Sequence, residues 1–220
     1  MAGALYVVST PIGNLADITF RAIETLKSVD LIAAEDTRHT KILLDRYGIT
    51  TSTTSYFEYN KVRKTDYLLR VLKEGKTVAL VSDAGTPGIS DPGYKIIRSC
   101  LDNDIQVIPI PGPAAFLTAL CISGKPTDAF TFEGFLSNKS QRRKNQLKKL
   151  RDDGRTAVIY ESPHRILKLL EAILEVYGDV GIVLARELTK KFEELRREKV
   201  SESLAHFRSS GPKGEFIVII

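Results

Sequence analysis

The sequence predicts an α/β protein of two domains, the first built on a mostly parallel, twisted sheet, and three observations predict it. Short apolar runs alternate with amphipathic segments along most of the 220 residues, the order expected of β-α-β units. Loops rich in glycine and proline follow the apolar runs, and the carboxyl ends of strands are where open α/β sheets bind ligands. After Ser123-Gly-Lys-Pro-Thr127 the runs lie further apart and charge increases. A boundary is therefore expected near residues 122–127, giving domains 1–122 and 123–220.

In the first half, residues 5–9, Leu31–Ala34, 77–82 and Gln106–Ile110 read as strands. Helical periodicity follows each, over 17–28, 38–46, Lys61–Lys73, 92–101 and 114–122, with Thr19 placed to cap the first helix. Residues 53–57 are a candidate further strand. In the second half Phe130–Phe135, 156–160, Gly181–Arg186 and 215–220 read as strands, and 141–150 and 163–176 as helices. Lys191 to Val200 fits a polar hairpin as well as a helix.

With 43% hydrophobic residues the chain can bury a sizeable core. No apolar stretch approaches the ~20 residues of a membrane span. The start, Met-Ala-Gly-Ala-Leu-Tyr-Val-Val, has neither a basic leader nor a cleavage-site pattern, so no signal peptide and a cytoplasmic location are expected. Cys100 and Cys121 stand in apolar helical contexts, which suits reduced core thiols. His39, His164 and His206 have no metal-ligand spacing, so no metal is expected. A net charge of +5 permits a polyanionic partner without requiring one. The run from Lys139 to Arg151 holds Arg142, Arg143, Lys144, Lys148 and Lys149 with no acidic residue. Such a run suits phosphate contacts, and equally a solvated helix face.

The most informative stretch is Val81-Ser-Asp-Ala-Gly-Thr-Pro-Gly-Ile-Ser-Asp-Pro-Gly93. Its glycines let backbone approach a ligand, and its prolines fix the loop before anything binds. A plain connection of two to six residues rarely needs so many of either. Four more loops share its character: Thr10-Pro-Ile-Gly-Asn14, Pro109-Ile-Pro-Gly-Pro-Ala-Ala115, Tyr160-Glu-Ser-Pro-His-Arg165 and Gly211-Pro-Lys-Gly-Glu215. Five such loops at strand ends converge on one site. The G-x-G-x-x-G fingerprint and the Walker A pattern are both absent. Prolines also stand where a phosphate nest wants free N–H groups, so a cofactor held by backbone and apolar packing fits better.

Eight motifs in order carry a resemblance: Thr10 to Asp17, Ala34-Glu-Asp-Thr-Arg38, Val81 to Gly93, Pro109 to Pro113, Phe132-Glu-Gly-Phe135, Tyr160 to Arg165, Ala185-Arg-Glu-Leu-Thr-Lys190 and Pro212-Lys-Gly-Glu215. Over nearly the whole chain the series resembles the ribose 2′-O-methyltransferase branch of the tetrapyrrole methylase superfamily. The resemblance implies a two-domain tetrapyrrole methylase-like α/β fold, with S-adenosylmethionine bound in the interdomain cleft. It further implies a homodimer, and methylation of a cytidine ribose in the decoding region of small-subunit ribosomal RNA. Carried over by motif, the cofactor contacts are Pro11, Ile12, Asp83, Ala84, Gly85, Thr86, Pro87, Ala114, Ala115, Tyr160, Ala185, Pro212, Lys213, Gly214 and Glu215. Ser55-Tyr-Phe-Glu-Tyr-Asn60 departs from the family, many of whose members have histidines in place of Phe57 and Tyr59. An aromatic pair suits stacking on a base better than acid–base work. The chain also stops at Ile220, where many members continue into a helical extension.

A ribose hydroxyl is a weak acid, so a base near it is expected. Glu35, Asp36 and Glu161 each stand just past a predicted strand, with Arg38, Arg165 and Arg186 as anchors for RNA phosphate or for carboxylate. The alternative is that Glu35–Arg38 and Glu161–Arg165 are salt bridges or helix caps that only order their loops. His164 reads as structural. Two other functions remain open on these residues: methylation of a tetrapyrrole or other small acceptor, and a noncatalytic RNA-binding ribosome-assembly factor.

Overall fold

Val78–Val81 are buried without exception, because they form the middle strand of a parallel sheet covered on both faces. The structure, a computed structural model, describes residues 3–220. Its contacts divide the chain into two units, one ending at Ala114 and one spanning Ala115–Ile220.

The first unit carries β1 (Ala4–Val8), β2 (Leu31–Ala34), β3 (Thr53–Ser55), β4 (Val78–Val81) and β5 (Gln106–Ile110) in the order β3-β2-β4-β1-β5. Every pairing is parallel. Strand alternation sends Ala79 and Val81 to one face, where Ala22 and Leu26 of α1 (Phe20–Ser28) and Leu43 and Leu44 of α2 (Thr37–Arg46) pack. Val78 and Leu80 face the other way, against Leu68 and Leu72 of α3 (Lys61–Lys73) and Ile96 and Cys100 of α4 (Tyr94–Leu101). The Thr19 hydroxyl accepts the Ala22 N–H at 3.1 Å and so caps α1.

Adjacent strands β1 and β4 lead to helices on opposite faces, which opens a crevice at their carboxyl ends. The fold thereby decides where a ligand can reach backbone. Loops from β1 and β4 meet there.

The second unit begins with α5 (Ala115–Cys121) and continues through β6 (Phe130–Phe135), α6 (Ser140–Asp153), β7 (Thr156–Glu161), α7 (Ile166–Tyr177), β8 (Gly181–Arg186), β9 (Glu194–Lys199), α8 (Val200–Ser210) and β10 (Phe216–Ile219). The sheet order is β6-β7-β10-β8-β9, and only β6 and β7 pair in parallel. Ala157, Ile159, Leu184, Phe216 and Val218 pack beneath α6, α7 and α8. Helix α5 packs on β7 and β10. That packing is why the division falls at 114/115 and not in the expected 122–127 stretch.

Lys191 to Val200 resolves in favour of the hairpin, since β9 pairs antiparallel with β8. Sequence reading gave no element over 201–210. Yet Val200, Leu204 and Phe207 form a buried stripe there, and the Glu202 carboxylate accepts the Lys199 N–H at 2.8 Å to start α8. Of the two expected core thiols, Cys100 is buried but Cys121 is exposed. Among the described residues no helix is long and apolar enough to cross a membrane.

Candidate active site

Three loops of the first unit are tied together at the carboxyl edge of its sheet. Thr10 and Gly85 exchange both backbone hydrogen bonds, at 2.8 and 3.0 Å, which joins the loop after β1 to the loop after β4. The Ser9 and Thr86 hydroxyls lie 2.9 Å apart, and Thr86 Oγ1 donates to the Pro113 carbonyl at 3.3 Å, bringing in the loop after β5. Gly85 has φ +77°, a conformation that favours glycine, and a Cβ on Gly112 would come within 3.0 Å of Ser9 Cβ. Pro11, Ile12 and Pro87 are buried, while Ala84 is exposed. Small and rigid residues thus knit a close-packed loop cluster with Ala84 at its surface.

Carboxylates stand beside that cluster. Asp83 Oδ1 accepts the Asp36 N–H at 2.9 Å, which fastens the end of β2 to the loop after β4. Burial, then the nearby charge of Asp83, raises the Glu35 carboxyl above its ordinary range, against a backbone hydrogen bond from Asp83 that lowers it. Such a group holds a proton more readily than an ordinary glutamate, as a general base must.

Asp36 is different. Its Oδ1 accepts the Arg38 N–H at 2.9 Å and so caps α2, and its carboxylate pairs with the Arg38 guanidinium at 2.7 Å. Those hydrogen bonds from Arg38 hold the Asp36 carboxyl far below the usual range. It is a poor base, and the expectation that it serves as one is corrected to a cap and an ion-pair partner. Arg38 keeps a largely exposed side chain.

The second unit brings a further set together. In register across the sheet lie Tyr160 on β7, Ile217 on β10 and Ala185 on β8. Tyr160 Oη accepts the Phe116 N–H at 3.1 Å, near the start of α5 and one residue past Ala115. Its ring meets Phe132 edge-on, with centroids 4.9 Å apart. The loop 211–215 enters β10 at the same sheet end, where Arg186 donates from Nη1 to the Lys213 carbonyl at 3.3 Å and from Nε to Glu194 at 2.8 Å. Arg186 is therefore engaged within the unit and not held out as an RNA anchor.

Sequence reading missed the clasp on that loop. Glu187 Oε1 accepts from the Glu215 N–H at 2.9 Å and from Lys190 Nζ at 3.0 Å, and Lys190 also reaches Glu215 at 2.7 Å. Burial lowers the Lys190 ammonium, but its hydrogen bonds to Glu215 and Glu187 outweigh that and raise it. Gly214 sits at φ +83°, where a Cβ would fall 2.4 Å from Glu187 Cγ. The motif Arg186-Glu-Leu-Thr-Lys190 was visible in sequence, but not its closure onto Glu215.

Glu161 is also corrected. Alternation along β7 turns it away from Tyr160, toward the face packed under the helices, and its side chain is fully buried. Oε1 accepts the Ser162 N–H at 2.9 Å and lies 3.1 Å from Arg165 Nε, without the alignment of a hydrogen bond. Burial raises its carboxyl, opposed by the Ser162 N–H and the charges of Arg165 and Arg143. A group so enclosed cannot meet a substrate hydroxyl. Arg165 also donates to the Leu136 carbonyl, so it braces the loop after β6.

The basic run is not one open face. Arg143 is buried and donates to the Ser137 carbonyl at 3.4 Å, and Lys144 pairs with Glu175 at 2.6 Å. Both were expected to hold RNA, and both are used inside the unit. Arg142, Lys148 and Lys149 are exposed, with Arg142 and Lys149 two turns apart on one stripe.

A family model described as Tetrapyrrole (Corrin/Porphyrin) Methylases matches residues 4–203, and the chain belongs to that family. Within it, the chain is similar to a Ribosomal RNA small subunit methyltransferase I from Synechocystis, 50% identical over 219 residues, covering 99% of this chain and 78% of that one. Another protein of that name, from Thermotoga maritima, is 48% identical over 218 residues, with coverage of 99% and 98%. Among solved structures, a uroporphyrin-III C-methyl transferase from Thermus thermophilus complexed with S-adenyl homocysteine shares the fold. Its TM-score is 0.67 at 15% identity, covering 99% of this chain and 97% of that one.

Proposed function

We propose that this protein is an S-adenosylmethionine-dependent methyltransferase that methylates the 2′-oxygen of a cytidine ribose in the decoding region of small-subunit ribosomal RNA. It works as a homodimer in the cytoplasm. The observation that carries this reading is the 48–50% identity, over nearly the whole chain, to proteins named as ribosomal RNA small subunit methyltransferases.

The residues present fit the cofactor. Main chain of Pro11, Ile12 and Asp83 to Pro87 would hold it on the first unit, with Ala114 adding little bulk. Ala115, Tyr160, Ala185 and the loop Pro212-Lys213-Gly214-Glu215 would hold it on the second. When bound, S-adenosylmethionine supplies an electrophilic methyl group. The rest falls to the chain. Aligning the ribose hydroxyl is worth several kcal/mol of barrier, and the raised Glu35 carboxylate takes the hydroxyl proton. Arg38 and the exposed Arg142, Lys148 and Lys149 attract RNA phosphate.

Titration calorimetry tests the cofactor half of this reading. S-adenosylmethionine should bind the full chain, and Ala84→Trp, which puts bulk on an exposed position of the main loop, should weaken it at least tenfold. No measurable heat for the wild type would overturn the reading.

A further inference from the structure

At the far edge of the first sheet, β3 leads into a loop that presents two aromatic rings to solvent. Tyr59 is 97% exposed and Phe57 37%. The loop does not depend on those rings for its shape. Asn60 Oδ1 accepts the Phe57 N–H at 2.9 Å, and the Asn60 amide donates to the Ser55 hydroxyl at 3.3 Å. Because β3 runs parallel to β2, its carboxyl end lies at the same sheet edge as Glu35 and Arg38. Exposed Arg63 follows in the first turn of α3.

Next to β3 is a cavity of about 380 Å³ between α2 and the segment 49–53. Thr37, Thr50 and Thr53 offer hydroxyls around it, while the Thr51 hydroxyl is donated to the Leu26 carbonyl at 2.6 Å, and Arg38 and Lys41 offer cations. Both cations are paired with carboxylates, Arg38 with Asp36 and Lys41 with Asp45, but at exposed positions where such pairs are weak and phosphate competes. Rings for bases, cations for phosphate and hydroxyls for ribose then lie along one edge.

We propose that this β3 edge binds an unpaired stretch of RNA, with Phe57 and Tyr59 as the stacking platform and the groove beside α2 as the seat of the sugar-phosphate backbone. The proposal rests on the reading of this protein as an RNA methyltransferase and deepens it, by naming the surface that delivers the strand to the carboxyl edge. Stacking on aromatic side chains is how unpaired bases are held without sequence preference. Contact with a second copy of the chain would call for a contiguous apolar area, whereas here the Glu58–Lys61 ion pair and exposed Arg63 stand beside the rings, with Val62 the one exposed aliphatic neighbour among them.

The test titrates the protein into a short, labelled single-stranded RNA oligonucleotide and follows anisotropy. Replacing both rings, Phe57→Ala with Tyr59→Ala, should weaken binding by roughly tenfold or more and leave its salt dependence unchanged. Arg38→Gln with Lys41→Gln should flatten the slope of log affinity against log salt by about 0.7 for each phosphate that the variant no longer neutralises. The chain has no tryptophan, so Tyr59→Trp places a single indole on the platform, and its emission should be quenched by the RNA. Unchanged affinity in the aromatic double variant, with its far-ultraviolet spectrum intact, would overturn the proposal, as would an indole indifferent to RNA. A variant that alters sedimentation mass but not RNA affinity would overturn it in favour of contact between copies. If the wild type methylates RNA and the aromatic variants bind RNA normally, only this inference fails. If the wild type transfers no methyl group to RNA, it is the functional reading that fails.

Discussion

Glu35 is the most consequential side chain, because burial first and the charge of Asp83 second raise its carboxyl. A base must be ionised to act, so the rate should rise with pH through the Glu35 titration. Burial first, and the Asp83 charge second, place that rise above the ordinary glutamate value of about 4.3. Asp83→Asn removes the like charge yet keeps an acceptor for the Asp36 N–H, so the acid limb should move to lower pH. Glu35→Gln should lower kcat by about 10² to 10⁴ while cofactor affinity is retained. Its effect on stability has the opposite sign. A carboxyl whose pKa is raised by folding makes the folded state lose stability as pH rises through that pKa, so Glu35→Gln should raise Tm at neutral pH. A kcat unchanged by Glu35→Gln would remove it from the mechanism. Glu161 gives the contrasting case. Glu161→Ala leaves the buried Arg143 and the partly exposed Arg165 without their carboxylate and should lower stability in denaturant unfolding by about 1–3 kcal/mol. Sequence placed Glu35, Asp36 and Glu161 alike, just past strands. It could not separate them, because the choice depends on which sheet face a side chain takes and which arginine lies within reach.

Elements and their loops were more legible than side-chain roles. Buried parallel strands such as Val78–Val81 announce themselves as continuous apolar runs, and their exit loops by glycine and proline. Helix α8 was missed because its apolar stripe is sparse and begins directly at the end of a polar strand, β9, whose own alternation is weak. The basic run over α6 misled in another way. Charge is visible in sequence, but the inward turn of Arg143 and the reach of Lys144 to Glu175 depend on α7 and the loop before α6. The loop 211–215 shows how an element can be held from outside itself. Gly214→Ala adds a Cβ against Glu187 at a positive φ, and should destabilise the protein by about 1–3 kcal/mol. The same change should weaken S-adenosylmethionine binding, measured by calorimetry alongside thermal unfolding. A variant with normal Tm and normal affinity would show the clasp on Glu215 to be dispensable.

On the scale of the whole molecule, the chain's relatives say which acceptor to try first. The most direct measurement is transfer of labelled methyl groups from S-adenosylmethionine to small ribosomal subunits that lack the modification, followed by nuclease digestion and nucleoside separation. The predicted result is label in 2′-O-methylcytidine, absent when Glu35→Gln replaces the wild type. Label in another nucleoside or on a base would contradict the ribose assignment. No label in RNA, from a protein that binds the cofactor and methylates a tetrapyrrole, would contradict the account at its centre.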